Sequence, residues 1–393
     1  MPPWIALDGR SLCPSSQFLY LQICRSLISS RIPLEIQKRL LMNRPLLDAY
    51  KSLKAKIAYT PLIDAPTPVE RFESNVMNVP DLEGLWIKRD DKTSAIYGGN
   101  KVRKLEFILP AAKGKNEIVT LGAIGTNHGV ATSIFCKIHG IKCRIILFDQ
   151  PVTNTVRQNL KLMQINGAKL EYRGSLTSAA LHYYFARLIR PYSYFLPPGG
   201  SNVMGCIAYV NAAFELKQQV ENGECPEPDR IICPVGSAGT LAGLTLGCQL
   251  AGLKSKVQGV RVAPSHLGII PICTTSTVAH LMKQTYRFLR KQGDNLPLVQ
   301  LPTIDLSDDY FGQGYGYASD EGDAAIKMFE NRGIVLESTY TAKAAAATLK
   351  SCRQNPDETI LYWHTFNSVV MDAHLSSHDI EALPEQLQQV VGL

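Results

Sequence analysis

The chain has 393 residues, 45% of them hydrophobic and 19% charged, which suits two globular domains and excludes a disordered protein. Its formal net charge of +7 is spread along the chain without a lysine-arginine block, so nucleic-acid binding is not expected. No run of about 18 or more apolar residues occurs, so the sequence predicts no membrane span.

The ten cysteines are scattered along the chain and form no CxxC pair, so the usual zinc and thioredoxin-like sites are not expected. Most of them lie in apolar segments, where an unpaired cysteine acts as a small buried hydrophobe. We therefore predict no metal site and a set of reduced thiols, which suits a reducing compartment.

Residues 1–56 differ in composition from the rest of the chain. Asp8 is their only acid before Glu35, whereas arginines and serines are frequent. Organelle transit peptides, mitochondrial ones included, share this composition. The alternative is a helical extension of a cytoplasmic protein that packs on its body, which is indicated by apolar residues before Pro45 at Leu34, Ile36, Leu40 and Leu41.

Residues 98–106, with the sequence GGNKVRKLE, join a flexible turn to a predicted helix. Two glycines precede Lys101, and apolar residues follow with helical spacing at Leu105, Ile108 and Leu109. A pyridoxal phosphate (PLP) Schiff base requires a lysine held at one point, where burial and the helix dipole lower its basicity. The alternative interpretation is a glycine turn followed by a basic helix face.

From about residue 57 onward, predicted strands and helices alternate. Such alternation is typical of mostly parallel sheets covered by helices on both faces. A cluster of proline and glycine at residues 197–202 predicts a crossing between two domains. The predicted strands are 117–121, 143–148, 169–172, 230–235 and 257–262, and the predicted helices between them include 128–139 and 153–166.

The loop at residues 121–129 joins a strand to a helix N-terminus. Its backbone N–H groups and the Thr126 hydroxyl are suited to hold a carboxylate, and Asn127 can bind a phenolic oxygen. The alternative is an ordinary N-cap made by Thr126 or Asn127. We expect His128 to be structural.

The loop at residues 235–240, with the sequence VGSAGT, follows another predicted strand. Small residues let the backbone close on a phosphate, and two hydroxyls add donors at a helix start. Because it lacks the Lys-Ser/Thr pair of a nucleotide P-loop, generic phosphate binding is favoured over ATP or GTP. The alternative is a tight strand-to-helix turn.

Further along, tyrosines flanked by glycines at residues 309–322 present phenols to a site or pack in the core.

Together these motifs resemble the family of D-cysteine desulfhydrases and 1-aminocyclopropane-1-carboxylate (ACC) deaminases, PLP enzymes of fold type II, the tryptophan-synthase-β type. The resemblance covers about residues 57–365. Its matching patterns are GGNKxRKLE at 98–106, SNH at 126–128, GGSN at 199–202, GSAGT at 236–240, YFxxGYGxxxDEG at 310–322 and VYTGKA at 339–344.

The resemblance implies an α/β fold of two three-layer domains with mostly parallel sheets and PLP in the cleft between them. The large domain is expected to comprise residues 57–110 and 205–393, and the small domain residues 111–204. A homodimer and a small amino-acid substrate are also implied.

The resemblance also implies a role for each matching residue. Lys101 is expected to form the Schiff base and to move the α proton, Lys104 to bind the phosphate, and Asn127 to bind the cofactor's O3′. Thr126 is expected to bind the substrate, as are Tyr315 and Tyr340. The phosphate cup is expected to comprise Gly236, Ser237, Ala238, Gly239 and Thr240.

Thr341 matches the partner of the pyridine nitrogen, which is acidic in ACC-deaminase-like members and threonine in desulfhydrase-like members. A neutral hydroxyl makes PLP a weaker electron sink. The expected reaction is therefore α,β-elimination from a D-cysteine-like amino acid. Four departures from the family pattern leave substrate identity open: Gly125, Thr126, Phe366 and Asn367.

Several alternatives to this elimination stay open. On the same scaffold they are deamination of ACC, which would place the chain among hydrolases, β-replacement and racemisation. Outside catalysis, the chain could be a PLP-binding protein that serves regulation.

Overall fold

The computed structural model describes residues 44–73, 82–372, 375 and 383–392. Residues 43–393 form one compact unit. The predicted helical extension or transit segment falls mostly on residues 1–43, which lie outside the described residues. Its described remainder forms two short helices.

The described residues form twelve short strands between Val69 and His364. In chain order they are Val69–Arg71 (β1), Leu85–Arg89 (β2), Glu117–Ala123 (β3), Lys142–Phe148 (β4), Lys169–Tyr172 (β5), Tyr194–Phe195 (β6), Arg230–Val235 (β7), Lys256–Arg261 (β8), His266–Leu267 (β9), Ile270–Pro271 (β10), Asp305–Ser307 (β11) and Ile360–His364 (β12).

Helices fill most of the connections between these strands. In chain order they are Pro45–Ala49 (α1), Lys51–Lys56 (α2), Asn100–Ile108 (α3), Asn127–Ile138 (α4), Asn154–Ile165 (α5), Leu176–Ile189 (α6), Val203–Glu221 (α7), Gly239–Ala251 (α8), Thr275–Gln292 (α9), Asp320–Glu330 (α10), Thr341–Gln354 (α11) and Glu385–Val391 (α12).

Two main sheets result, and both are mostly parallel, as predicted. The first has the strand order β1-β2-β12-β7-β8-β11 and is parallel except for the β1–β2 pair. The second has the order β5-β4-β3-β6 and is parallel throughout. Strands β9 and β10 form a separate antiparallel hairpin.

Each main sheet is the middle of three layers. In β12, Leu361 and Trp363 pack into one apolar cluster with α7, α8 and α9, while Ile360 and Tyr362 pack on the opposite face with α10 and α11. The second sheet has α4 and α5 on one face and α6 on the other. Because strand side chains alternate between faces, both sheets bury apolar residues on two sides.

The predicted elements are confirmed to within two residues at each end. Strand β3 continues to Ala123, beyond the predicted end at Leu121, because Gly122 and Ala123 still pair with β4. A side chain at Gly122 would not fit there, since its Cβ would lie 2.6 Å from the Thr126 Oγ1.

The described cysteines are buried thiols, as predicted. Among the described residues, the structure contains no helix with the length and apolar character needed to cross a membrane.

Candidate active site

Lys101 lies in the first turn of α3, directly after a glycine turn. Gly99, the residue before the helix, has a φ of +94°, which favours glycine. The loop after β12 braces this turn. The Gly98 N–H donates to Asn367 Oδ1 at 2.6 Å, and the Asn100 N–H donates to the Thr365 carbonyl at 3.1 Å. The loop after β12, although distant in the sequence, therefore fixes the glycine turn that precedes Lys101.

The Lys101 amine is partly buried, and this weakens its basicity. Its Nζ donates to the Asn100 Oδ1 at 2.7 Å. Burial lowers the pKa of Lys101 to about 8, although the nearby carboxylate of Glu337 opposes that shift. An appreciable fraction of neutral amine, the nucleophilic and basic form, is therefore present near neutral pH.

A group of hydroxyls surrounds the start of α8. The Gly239 N–H donates to Ser201 Oγ at 3.0 Å, and Ser201 Oγ in turn donates to Ser237 Oγ at 2.8 Å. The Thr240 Oγ1 accepts from Asn100 Nδ2 at 3.4 Å, which links this helix start to the lysine helix. Backbone and hydroxyl donors thus converge at the positive end of α8.

Lys104 adds an amine donor at the same place. Its Nζ donates to the Gly199 carbonyl at 3.0 Å and lies 3.3 Å from where a Cβ on Gly239 would be. Burial and the charge of Lys101 hold its pKa well below the usual value. This donor set fits a phosphate dianion. Its members, here called the phosphate cradle, are Lys104, Ser201, Ser237, Gly239 and Thr240.

The loop after β3 presents Thr126 and Asn127. The Thr126 Oγ1 accepts from the Gly129 N–H at 3.2 Å and so caps α4, but its own proton remains a donor for a ligand. The Asn127 Oδ1 accepts from Asn159 Nδ2 at 3.0 Å. That bond makes Oδ1 the occupied end of the Asn127 amide, so the NH₂ group is the end that can donate to a ligand.

The two tyrosines named by the sequence are in direct contact. The Tyr315 and Tyr340 hydroxyls are hydrogen-bonded, and their rings meet edge to face with centroids 5.8 Å apart. Burial raises the pKa of Tyr315 to about 12, and it raises that of Tyr340 as well. Both phenols are therefore proton donors at neutral pH.

Lys343 holds the loop that precedes Tyr315. Its Nζ donates to the Phe311 carbonyl at 2.8 Å and to the Gly314 carbonyl at 3.3 Å. The tyrosine pair is thereby connected to α11.

Thr341 forms two hydrogen bonds with the backbone of Glu337. Its Oγ1 accepts from the Glu337 N–H at 2.8 Å and donates to the Glu337 carbonyl at 3.2 Å. The Glu337 carboxylate accepts the N–H groups of Thr339, Tyr340 and Thr341 at 2.6–2.9 Å, which satisfies the start of α11. Burial raises the pKa of Glu337, and these backbone donors oppose that shift.

The space beside Gly125, here called the Gly125 corner, is filled by the side chains of Gln150 and Val156. The Gly125 N–H donates to Gln150 Oε1 at 3.3 Å. A Cβ on Gly125 would lie 2.7 Å from Val156 and 2.9 Å from the Gln150 amide. A side chain from the loop after β4 therefore fills the space at Gly125, one of the four departures named from the sequence.

One cavity of about 1220 Å³ collects most of these residues. It lies at the carboxyl ends of β3, β4, β7 and β12, where parallel α/β sheets bind ligands. Lys104 and Gly239 lie behind its surface. Its lining includes these residues assigned from the sequence: Lys101, Thr126, Asn127, Gly236, Ser237, Ala238, Thr240, Tyr315, Tyr340 and Thr341.

Several lining residues were not assigned from the sequence. Ser201 carried a signal, because it lies inside the GGSN pattern. Glu337 carried a weaker one, as an acid just before a helix start. Gln150 and Asn367 act through contacts across the fold, which no local pattern indicates. Among the described residues, no three His, Cys, Asp or Glu side chains are grouped to hold a metal ion.

Comparison with known proteins gives one consistent family. The family model described as "Pyridoxal-phosphate dependent enzyme" matches residues 55–365. The D-cysteine desulfhydrases of Salmonella paratyphi A and Salmonella typhi are each 32% identical to the chain, over 80% of it and 95% of their own length.

Solved structures agree with this family. A crystal structure of an ACC deaminase homologue has a TM-score of 0.67 at 28% identity, covering 86% of this chain and 99% of that one. A PLP-dependent aspartate racemase, with a TM-score of 0.56 at 18% identity, shares the fold alone.

Proposed function

Because this chain belongs to the family of pyridoxal-phosphate dependent enzymes, we propose that it catalyses α,β-elimination on a D-cysteine-like amino acid. The products are ammonia, a keto acid and the leaving group. The observation that carries the proposal is a weakly basic lysine that shares one cavity with the three hydroxyls of the phosphate cradle, in a chain 32% identical to D-cysteine desulfhydrases. The expectation that the chain is a hydrolase is wrong, because its relatives at 32% identity are D-cysteine desulfhydrases, which are lyases.

The residues present fit PLP at this site. Lys101 would hold its aldehyde carbon, the phosphate cradle its phosphate, Asn127 its phenolic oxygen and Thr341 its ring nitrogen. When bound, PLP supplies an electron sink that stabilises the negative charge left at the substrate Cα. The support is chemical: hydroxyl, backbone and ammonium donors lie together, and an amide NH₂ is available to donate.

The chain's own residues supply the proton transfers. The Lys101 amine, with its pKa lowered to about 8, accepts the α proton when it is neutral. The tyrosine pair, Tyr315 and Tyr340, is protonated and can donate to the sulfur that leaves Cβ. The Thr126 hydroxyl and the start of α4 hold the substrate carboxylate.

Ring opening of ACC is the second candidate, and it is favoured by the 28% identical ACC deaminase homologue. β-Replacement, racemisation and a non-catalytic role are the remaining alternatives. Steady-state assays of the PLP-loaded protein separate them. We expect sulfide and pyruvate from D-cysteine, and pyruvate from β-chloro-D-alanine, faster than 2-oxobutyrate from ACC. Faster turnover of ACC would contradict the elimination.

Peptide mapping tests the lysine assignment. Borohydride reduction of the PLP-loaded protein should label the peptide that contains Lys101, and the Lys101→Ala variant should yield no label. Lys104 lies one helical turn away and is the natural competitor. A label on Lys104 would show that the assignment is wrong.

We further propose a large domain of residues 57–110 and 205–393 and a small domain of residues 111–204. The second sheet, β3 to β6, falls entirely within the proposed small domain. Limited proteolysis tests this division: cleavage at both crossings, near residue 111 and near residues 197–202, should release the small domain as a folded fragment.

A homodimer is also proposed. Its support is the resemblance, together with apolar side chains on the outer face of α6 that are 57–78% exposed and spaced one turn apart: Leu181, Phe185 and Leu188. Sedimentation equilibrium decides between a dimer and a monomer.

For localisation, we propose the cytoplasm unless residues 1–56 direct the chain to an organelle. A fluorescent fusion carrying residues 1–56 shows which of the two holds.

A further inference from the structure

The cavity is larger than a cysteine-sized substrate needs. Its volume of about 1220 Å³ exceeds the ~300–1,000 Å³ usual for small-molecule sites. The groups assigned to the cofactor lie at one end, around Lys101 and the phosphate cradle. The side chain of cysteine is a single CH₂–SH group, so most of the remaining volume would hold only water.

That remaining volume has an apolar wall made by α6, β3 and the β9–β10 hairpin. Leu121, Ala180 and Tyr183 are buried in one apolar cluster, and Leu267 of the hairpin packs against it. All four side chains also line the cavity. Leu121 lies near the carboxyl end of β3, the strand that leads into the loop of the proposed carboxylate site.

The wall continues outward to the protein surface. Tyr184 and Ile270 line the cavity beyond the cluster and are 63% and 58% exposed. The apolar wall therefore comprises Leu121, Ala180, Tyr183, Tyr184, Leu267 and Ile270. It leads from the reacting end of the site to its mouth.

No ionised carboxylate, ammonium or guanidinium belongs to this wall. Among the described lining residues, the groups of that kind are Lys101, Glu337 and Asp149. Glu337 caps α11, and Asp149 accepts a hydrogen bond from the Tyr172 hydroxyl. A charged substituent on the buried part of the wall, at Leu121, Ala180 and Tyr183, would lose hydration without gaining a partner, so that part selects against it.

The extra room does not come from the Gly125 corner, where Gln150 and Val156 occupy the space. It comes from the wall formed by α6 and the hairpin. The space available to a substituent therefore borders this wall and not the Gly125 corner.

We propose that the enzyme cleaves cysteines whose sulfur carries a large, uncharged, apolar substituent, and that the apolar wall holds this substituent. The inference rests on the proposed elimination and names its substrate class. The α C–H and Cβ–S bonds break, and the sulfur keeps the Cβ–S electron pair and leaves as a thiolate, which takes a proton. The remaining aminoacrylate is hydrolysed by one water. The balance is RS–CH₂–CH(NH₃⁺)–COO⁻ + H₂O → RSH + pyruvate + NH₄⁺.

Kinetics of the PLP-loaded enzyme on D-cysteine, S-methyl-D-cysteine and S-benzyl-D-cysteine test the proposal, with pyruvate as the common product. We expect kcat/KM for the benzyl substrate to exceed that for the methyl substrate by about tenfold or more, because the ring is buried on the wall. Binding of D-2-amino-5-phenylpentanoate, a carbon isostere that lacks a leaving group, gives a readout independent of turnover.

Two neighbouring isoleucines of the hairpin provide a matched pair of variants. Ile270 lines the cavity, whereas Ile269 is 97% exposed and is not among the lining residues. Ile270→Asp should lower kcat/KM for S-benzyl-D-cysteine, and affinity for the isostere, about tenfold while leaving D-cysteine turnover within twofold. Ile269→Asp should change neither.

The outcomes separate the two proposals. Turnover of D-cysteine with no gain for the benzyl substrate overturns the substrate class and leaves the elimination standing. Equal effects of the two aspartate variants also overturn it, because the wall would then not hold the substituent. Failure to release pyruvate from any of the three substrates overturns the elimination and this inference together.

Discussion

The Thr341 hydroxyl, the expected partner of the cofactor's ring nitrogen, has a single proton, which it donates to the Glu337 carbonyl. It can therefore only accept a hydrogen bond from a ligand. A ring nitrogen that binds this hydroxyl would have to carry a proton, and the carboxylate of Glu337 nearby favours that charge. From the sequence, Thr341 was expected to be a neutral partner of the ring nitrogen. In the structure, the nearby Glu337 carboxylate adds a negative charge at this end of the site.

Glu337 also influences Lys101, and this gives the first prediction. Because the carboxylate raises the pKa of Lys101 against the effect of burial, Glu337→Gln should lower that pKa below about 8. The amide oxygen can still accept the N–H groups of Tyr340 and Thr341, which share one carboxylate oxygen, whereas the Thr339 N–H loses its acceptor. The rate at which the PLP-free protein captures PLP should rise with pH through the lysine pKa, and in the variant this rise should occur at lower pH.

The matched control for this measurement is Glu330→Gln, which changes an exposed carboxylate on α10. Its pH profile should coincide with that of the unmodified protein. Coincidence of the Glu337→Gln profile as well would show that this carboxylate does not act on the lysine.

The phosphate cradle gives the second prediction. Ser237→Ala and Thr240→Ala each remove one hydroxyl donor to a charged group, an interaction of about 1.5–3 kcal/mol, which corresponds to a roughly 10- to 150-fold weaker Kd for PLP. Equilibrium dialysis of PLP measures the effect. Thr348→Ala, which removes a hydroxyl bonded to the Ala344 carbonyl within α11, is the control. An unchanged Kd in the double cradle variant would place the phosphate elsewhere.

Helix α3, which carries Lys101, is anchored by buried ion pairs. The Arg103 guanidinium donates to Asp90 Oδ1 at 2.7 Å and to the Glu215 carboxylate at 2.9 Å, and Lys88 Nζ bonds Glu215 as well. Arg103 and Lys88 hold the pKa of Glu215 below its usual value. The anchor joins the lysine helix to α7 and to the strand end at Arg89.

Removing this anchor gives the third prediction. Arg103→Met leaves two buried carboxylates without their shared cation, which should lower the free energy of unfolding by about 3–5 kcal/mol. Arg230→Met breaks a more exposed ion pair with Glu358 and should cost at most about 1 kcal/mol. Urea unfolding of both variants measures the difference. Equal losses would show that the buried network does not stabilise the helix more than a surface pair.

One of these ion pairs, that of Lys88 with Glu215, helps to explain why strand β2 was not predicted from the sequence. Strands β5 and β7 were predicted residue by residue, because each is bounded by loop-forming residues. Strand β2 was not, since Lys88 and Arg89 break its apolar pattern. Both side chains are nonetheless buried: Arg89 pairs with the nearby Asp91 and with Glu70, whereas Glu215, the partner of Lys88, lies 127 residues along the chain. A local pattern cannot indicate a charge that is compensated from so far away.

The residues of the candidate site fall into two groups: those that a sequence motif indicates, and those that only the tertiary fold brings to the site. Residues inside short motifs, such as Lys101 and Thr240, were assigned from the sequence because the motif itself sets their position. Asn159 orients Asn127 across 32 residues, and Asn367 braces Gly98 across 269 residues. These contacts depend on the tertiary fold, so the sequence gave no reason to choose Asn159, and it named Asn367 only as a departure from the family pattern, without its contact to Gly98.

At the scale of the whole molecule, the cavity is assembled from loops at the carboxyl ends of both sheets. Lys101, Asn127, Ser201, Thr240 and Tyr340 come from five separate segments of the chain, yet all line one space. An unfolded chain cannot bring these groups together. PLP should therefore bind the folded state and have little affinity for the unfolded one.

This gives the fourth prediction. Ligand that binds only the folded state stabilises it by about 1.4 kcal/mol for each tenfold rise in free PLP above its Kd. The Tm of the protein should rise steadily with PLP concentration, as measured by differential scanning calorimetry. Lys101→Ala, which loses the covalent attachment, should need more PLP for the same rise. A Tm independent of PLP would mean that the cavity does not bind it.

Assembly of the cavity from distant segments also has a consequence for the lifetime of the protein in a cell. Proteases degrade chains in proportion to the time they spend open, and a ligand that requires the closed fold shortens that time. When vitamin B6 is scarce, newly made chains should persist less well than chains that have acquired their cofactor. The amount of this enzyme should therefore follow the supply of its cofactor even if its synthesis is constant.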